Sequence, residues 1–119
     1  MYKILHIDDE NPSLTFFADF VASYYKDINL FSFDNWAKAK TVLLSGVKFD
    51  LIVLDQNMPG ISGTKIYEEI FKEFSSMTDK VVFMTASTNF GYSHRPYIRK
   101  PFDIDNLIDV IDGYVLKRR

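Results

Sequence analysis

Short apolar segments alternate with longer segments of helical spacing along the chain, and this alternation restricts the possible folds more than any other feature. Five short runs rich in β-branched and aromatic residues are predicted strands: Tyr2–Ile7, Ile28–Phe33, Asp50–Leu54, Val81–Thr85 and Tyr97–Arg99. Strands separated by helices require crossover connections, which produce a parallel sheet covered on both faces. The uninterrupted apolar runs Leu51–Leu54 and Val81–Met84 agree, because a strand buried on both faces loses its polar–apolar alternation. The sequence therefore predicts a five-stranded, doubly wound α/β domain.

Capping residues and apolar spacing predict four helices. The first helix is predicted to be capped by Asn11, with Pro12 at the first helical position, and the others to open at Asp34 or Asn35, near Ser62, and at Asp103. The segment between the fourth and fifth strands, residues 86–96, is the exception. It contains Gly91 and Pro96 and has room for about one or two helical turns at most. We therefore expect the helix between these two strands to be shortened or missing.

Composition excludes several classes of protein. A length of 119 residues with 47% apolar and 25% charged residues is typical of one globular domain, which we expect to span residues 1–119. The absence of cysteine excludes a disulfide framework, a thiolate metal site and a cysteine nucleophile. A formal charge of −2 provides no general positive field for nucleic acid. Apolar runs no longer than four residues and an N-terminus without a signal sequence lead us to expect a cytoplasmic protein with no membrane contact.

Every predicted strand except the second ends beside a group suited to binding or reaction. The first strand is followed by Asp8, Asp9 and Glu10, the third by Asp55 and the fifth by Lys100, while Thr85 closes the fourth. Ligands of open parallel sheets bind beyond the carboxyl ends of the strands, where the strand order reverses. We therefore expect these groups to meet in one cleft.

The chemistry of such a cluster favours phosphoryl transfer assisted by a metal ion. Three ionised carboxylates in a cleft repel one another, and a hard cation with oxygen ligands, such as Mg²⁺, removes the conflict. Lys100 supplies a compact positive charge and Thr85 a hydroxyl donor. Asp55 is the best candidate for a nucleophile that forms an aspartyl phosphate, because it stands alone at the end of the most hydrophobic strand.

The sequence resembles the receiver domain of two-component response regulators over its whole length. Four segments carry the resemblance, each at a strand end: IDDE at 7–10, LDQNMPGISG at 54–63, MTA at 84–86 and YIRKPF at 97–102. The resemblance implies a flavodoxin-like sheet in the order 2-1-3-4-5. It also implies that Asp55 accepts a phosphoryl group from a histidine kinase or histidine phosphotransfer protein. The protein would then be a signalling switch that acts on an unidentified downstream protein, with slow self-dephosphorylation as its only catalysis.

The resemblance also implies a cofactor and roles for the other site residues. Asp9 and Asp55 would ligate Mg²⁺ directly, Asp8 through water, and Asn57 through its backbone carbonyl. The residues implied in phosphoryl binding and switching are Thr85 as a hydrogen-bond donor, Lys100 as the cation, Tyr97 as the aromatic that swings inward, and Pro101 after a cis peptide bond.

Two features depart from this family. Only fifteen positions separate Thr85 from Lys100, so the family's fourth helix is shortened or missing. We therefore do not expect phosphorylation to produce the dimer that family members commonly form through that helix. His6 lies close to the acidic pair, and we interpret it as a hydrogen-bonded core histidine.

Three other functions remain open at this point. The chain could be a receiver-like docking module that phosphorylation does not control. It could be an Mg²⁺-dependent phosphohydrolase with an aspartyl nucleophile, although such enzymes usually carry a second carboxylate where this chain has Asn57. A flavin or nucleotide binder is disfavoured, because neither GxGxxG nor a P-loop glycine pattern is present.

Overall fold

Five parallel strands form a central sheet in the order β2-β1-β3-β4-β5. In the computed structural model, which describes residues 1–86 and 96–116, the strands are β1 (Tyr2–Ile7), β2 (Ile28–Phe33), β3 (Leu51–Asp55), β4 (Val81–Thr85) and β5 (Tyr97–Arg99). The predicted fold class and strand order are confirmed. Four strands have the predicted bounds, whereas β3 lies one residue later than predicted, so that Asp55 is its last residue.

The first strand lies where the strand order reverses. β1 pairs in parallel with β2 along its whole length and, on its other edge, with β3 from Ile4↔Leu51 to Ile7↔Leu54. After β1 the chain therefore places β2 along one edge of β1 and then crosses over to place β3 along the other edge. This leaves a crevice beyond the carboxyl ends of β1 and β3, the usual ligand position in such sheets.

Helices cover both faces of the sheet. The first face carries α1 (Asn11–Tyr24) and α4 (Ile104–Val115); the second carries α2 (Trp36–Leu44), α3 (Gly63–Glu73) and a 3₁₀ helix (Ser75–Lys80) that the sequence did not predict. Alternate residues of β1 contribute to the two layers, since Ile4 packs with α1 and α4 whereas Leu5 and Ile7 pack with α2 and α3. The sheet is thus a rigid support with both apolar faces buried.

Most helix starts agree with the predicted capping residues. The side chains of Asn35, Ser62 and Asp103 accept backbone N–H bonds at the starts of α2, α3 and α4. Helix α1 begins one residue earlier than predicted, with Asn11 as its first residue and Glu10 in the capping position. The Glu10 carboxylate makes no capping bond.

The connection between β4 and β5 runs from Ala86 to Pro96. Its residues 87–95 lie outside the described residues, and so does the expectation that its helix is shortened or missing. The strands on either side are joined by bonds from the Phe83 N–H to the Pro96 carbonyl and from the Lys100 N–H to the Thr85 carbonyl. Within residues 1–86 and 96–116, no helix has the length and apolar character needed to span a membrane.

Candidate functional site

Three carboxylates meet at the crevice beyond β1 and β3. One oxygen each from Asp8, Asp9 and Asp55 lies within 4.8 Å of the other two. Asp8 and Asp55 are buried, whereas Asp9 is exposed at the mouth of the crevice. They converge because β1 and β3 are adjacent and parallel, so that residues leaving β1 stand beside the last residue of β3. The sequence predicted this convergence.

Asp8 is held as an ionised carboxylate by several donors. Its Oδ1 accepts the Glu10 N–H at 3.0 Å, and its Oδ2 accepts the Ser13 hydroxyl at 2.5 Å and lies 3.0 Å from the Lys100 ammonium. Burial alone would raise the pKa of Asp8, but the nearby His6 ring and the donors Ser13, Glu10 and Lys100 outweigh it and hold the pKa well below its usual range. Asp8 therefore contributes a permanent negative charge.

Asp55 is in the opposite electrostatic situation. Burial and the negative charge of Asp8 raise its pKa to about 7, against the opposing effects of Lys100 and the Asn57 N–H. The Asn57 N–H lies 3.3 Å from Oδ1. The other carboxylate oxygen of Asp55, Oδ2, is buried without a hydrogen-bond partner among the described residues. An acceptor left bare beside two more carboxylates fits a hard cation with oxygen ligands such as Mg²⁺.

Lys100 is shared among three carboxylates. Its ammonium lies 2.8 Å from Glu10, 3.0 Å from Asp8 and 3.5 Å from Asp55. Burial alone would lower the pKa of Lys100, but these carboxylates more than compensate and raise it. The Lys100–Pro101 peptide bond is cis. The Lys100 ammonium thus lies within 3.5 Å of Asp55, and new negative charge on Asp55 would attract it.

Thr85 and Tyr97 lie on the strands beside β3. Thr85 is buried at the end of β4, one residue beyond Met84, which is the register partner of Asp55. Tyr97 pairs with Phe83 at the start of β5, and 38% of its surface is exposed. Paired residues of adjacent strands lie on the same face of the sheet, so Tyr97 shares a face with Phe83. Thr85 lies two residues after Phe83 in β4 and therefore lies on that face as well.

The loop that follows Asp55 is fastened to the start of α3. Gln56 accepts the Gly63 N–H on its carbonyl at 3.0 Å and the Thr64 N–H on its side-chain Oε1 at 2.9 Å. Gly63 is required because a Cβ there would lie 2.8 Å from the Asp55 carbonyl oxygen. Gly60 occupies the left-handed region with φ +84°. These constraints position the exposed Asn57 directly after the carboxylate cluster.

Two residues of the site gained their roles only from the structure. Ser13 was missed, and the one sequence signal for it is a polar residue at a position of α1 that faces the core. His6 was correctly predicted to be buried, but its predicted hydrogen bonds are wrong: within the described part of the chain, neither ring nitrogen has a partner. The reason is that its neighbours on this face are the Phe17 ring and an Asp8 oxygen that already has two donors.

Comparison with known protein families identifies the family of this chain. A family model described as the response regulator receiver domain matches residues 4–112. The chain belongs to this family. A search of curated protein sequences gave no match.

Solved structures share the receiver fold over nearly the whole chain. The response regulator TrrA from Thermotoga maritima, solved in complex with Mg²⁺–BeF, is 26% identical with a TM-score of 0.80, covering 97% of this chain and 100% of TrrA. A receiver domain protein from Clostridium thermocellum is 20% identical with a TM-score of 0.80, covering 99% and 97%. Chemotaxis protein CheY4 from Vibrio cholerae is 16% identical with a TM-score of 0.78, covering 97% and 99%.

Proposed function

We propose that this receiver domain, spanning residues 1–119, is a switch in which Asp55 accepts a phosphoryl group from the phosphohistidine of a histidine kinase or histidine phosphotransfer protein. The observation that carries the proposal is the Asp55 carboxylate, which is 2% exposed and has its Oδ2 without a partner among the described residues. It ends a central strand beside two more carboxylates and a lysine. An acidic group in so unfavourable a position is expected where binding or chemistry requires it.

The acidic cluster supports Mg²⁺ as the cofactor. Asp9 and Asp55 would hold the ion directly, Asp8 through water and Asn57 through its backbone carbonyl. The close approach of the three carboxylates supplies the hard oxygen donors that Mg²⁺ prefers. When bound, Mg²⁺ neutralises charge that develops on a transferring phosphoryl group.

The proposed transfer is a displacement at phosphorus. An ionised oxygen of Asp55 forms the new P–O bond, the P–N bond of the phosphohistidine breaks, and its electron pair returns to the imidazole nitrogen. Lys100, now 3.5 Å from Asp55 Oδ1, would move onto the phosphoryl oxygens, and the Thr85 hydroxyl would donate to them. Both groups stabilise negative charge where it accumulates.

The phosphoryl group would then change the surface around β5. Phosphorylation replaces the single charge of the Asp55 carboxylate by about −2 on the phosphoryl group and brings three acceptors, which are fully satisfied only when Thr85 is drawn inward. The partly exposed Tyr97 would turn in behind Thr85. A preference of about 1–3 kcal/mol for this arrangement is the usual size of such a coupling. A downstream protein would recognise the altered face, and slow self-dephosphorylation would reset it.

Phosphorylation of the intact chain tests the proposal. The protein is incubated with Mg²⁺ and acetyl phosphate, and its mass is measured before and after acid treatment. We expect one acid-labile phosphate on the wild type and on Asp34→Asn, a matched control at the exposed end of β2, and none on Asp55→Asn.

The other outcomes separate the competing functions. Labelling that persists in Asp55→Asn would show that the phosphoacceptor is another residue. No labelling together with weak Mg²⁺ binding would identify a docking module. Continuous release of phosphate from simple phosphomonoesters would identify a phosphohydrolase instead of a switch.

A further inference from the structure

His6 is an unusual residue in the centre of this protein. It lies in β1, is fully buried, and neither ring nitrogen has a hydrogen-bond partner in residues 1–86 and 96–116. Its ring packs against Phe17, with the ring centroids 4.5 Å apart. Burying polar nitrogens without partners costs free energy that an aliphatic side chain at this position would avoid. The position therefore calls for an explanation beyond packing.

The nearest charged group to the His6 ring is the Asp8 carboxylate. Asp8 directly follows β1, two positions after His6, so the two side chains lie on the same side of the sheet. His6 Nε2 lies 3.7 Å from Asp8 Oδ2, which is too far for a hydrogen bond. That oxygen already has the Ser13 hydroxyl at 2.5 Å and the Lys100 ammonium at 3.0 Å. Two donors use both of its lone pairs, so the imidazole has no acceptor site in this state.

Removal of Lys100 from Asp8 would open one of these sites. If Lys100 follows a phosphoryl group onto Asp55, Asp8 Oδ2 keeps only Ser13, and His6 Nε2 already stands beside it. A closing movement of about 0.7 Å would bring the two atoms to hydrogen-bond distance. We propose that His6 is a positioning residue: its imidazole Nε2 takes the place of Lys100 on Asp8 when the phosphoryl group is bound, and so keeps the carboxylate oriented toward Mg²⁺. This inference rests on the proposed function of Asp55.

A neutral imidazole suits this role better than a second cation. The complete burial of His6 favours the neutral ring, because a charge there would lose its hydration. The contact with Phe17 also favours it, because an apolar ring face does not solvate charge. A neutral donor orients Asp8 without cancelling the negative charge that holds the metal ion.

Two substitutions separate this role from packing. His6→Leu keeps the volume but removes both nitrogens, and His6→Gln restores an amide donor of similar reach. Magnesium affinity of the full chain is measured by calorimetry, with Mg²⁺ alone and with Mg²⁺ plus beryllofluoride as the phosphoryl mimic. With beryllofluoride we expect His6→Leu to raise the Mg²⁺ dissociation constant about tenfold and His6→Gln to restore most of it. With Mg²⁺ alone, where Lys100 stays near Asp8, we expect a smaller effect.

A measurement on the wild type makes the test independent of how the variants fold. Nitrogen-15 NMR of the imidazole reports which nitrogen carries hydrogen and whether it is hydrogen-bonded. We expect the Nε2–H resonance to change to that of a hydrogen-bonded donor when beryllofluoride is added with Mg²⁺. If the resonance does not change, or if His6→Leu binds Mg²⁺ with the affinity of the wild type, the proposed role of His6 is overturned and the proposed function of Asp55 stands. A wild-type protein that binds neither Mg²⁺ nor beryllofluoride overturns the proposed function, and with it this inference.

Discussion

Replacing Asp55 by Asn is expected to stabilise the metal-free protein, and to do so increasingly as the pH rises. Burial and the charge of Asp8 raise the pKa of Asp55 from 3.8 to about 7 in the folded protein. Because the folded pKa lies above the unfolded one, the folded state loses stability as the pH rises from about 3.8 to 7. Asn has nearly the same shape and never ionises. The folded state of Asp55→Asn therefore does not lose stability as the pH rises through this range.

The size of the effect follows from the pKa difference. Each unit of pKa difference corresponds to about 1.36 kcal/mol, so a shift of about three units predicts a gain of about 4 kcal/mol in the free energy of unfolding at pH 8. At pH 5 less than half of it remains, because Asp55 is then largely protonated in the folded state. The gain depends on the charge of Asp8, which the Ser13 hydroxyl and the Glu10 N–H maintain across this range.

Urea unfolding in the presence of a chelator measures this prediction. Wild type, Asp55→Asn and the exposed control Asp34→Asn are compared at pH 8 and pH 5, with the unfolding slope checked for constancy. Adding Mg²⁺ at pH 8 should stabilise the wild type much more than Asp55→Asn, since the variant lacks the Asp55 charge that we propose holds the ion. The reasoning is refuted if Asp55→Asn is no more stable than wild type at pH 8, or if its gain is equal at both pH values.

Three further predictions concern the surroundings of Asp55. Lys100→Ala removes the cation shared by Asp8 and Asp55, so we expect urea unfolding to show a loss of about 3 kcal/mol; an unchanged midpoint would contradict the importance of this ion pair. Gly63→Ala places a Cβ 2.8 Å from the Asp55 carbonyl oxygen and should cost about 1–3 kcal/mol and slow labelling by acetyl phosphate, whereas Gly46→Ala, which strains the backbone at φ +96° but has open space around it, should cost stability and leave labelling unchanged. Gel filtration with Mg²⁺ and beryllofluoride should show no dimer through the segment between β4 and β5, which is short in sequence; an activated dimer built on that face would refute this.

The fold and the convergence of the site could be predicted from sequence because their signals are local. Uninterrupted apolar runs mark strands buried on both faces, and a polar residue at the end of such a run must lie at the carboxyl edge of the sheet. Asp55 illustrates the precision of this signal. It was expected directly after the third strand and is in fact its last residue. The shift by one position arises because the strand bounds depend on pairing with β1 and β4, which no local pattern reports.

The contacts that set the electrostatics of the site could not be predicted in the same way. Ser13 reaches Asp8 because the first turn of α1 lies beside the end of β1. Glu10 was expected directly after the first strand, and its carboxylate in fact binds Lys100 from the other end of the chain. Such contacts depend on how a helix is oriented on the sheet, and side chains separated by 90 positions leave no periodic trace.

The position of Lys100 explains how a small chemical change at Asp55 could reach the surface. Its backbone N–H is bonded to the Thr85 carbonyl, so β4 and β5 are tied together at the point where the two side chains that we propose bind the phosphoryl group leave the sheet. Under the proposed function, Lys100 can therefore respond to the new charge by moving its side chain while its backbone stays in place. Asp8 then loses a cation, which His6 is positioned to replace with a neutral donor. Tyr97, at the start of β5 three residues before Lys100 and partly exposed, is left as the group that carries the change outward.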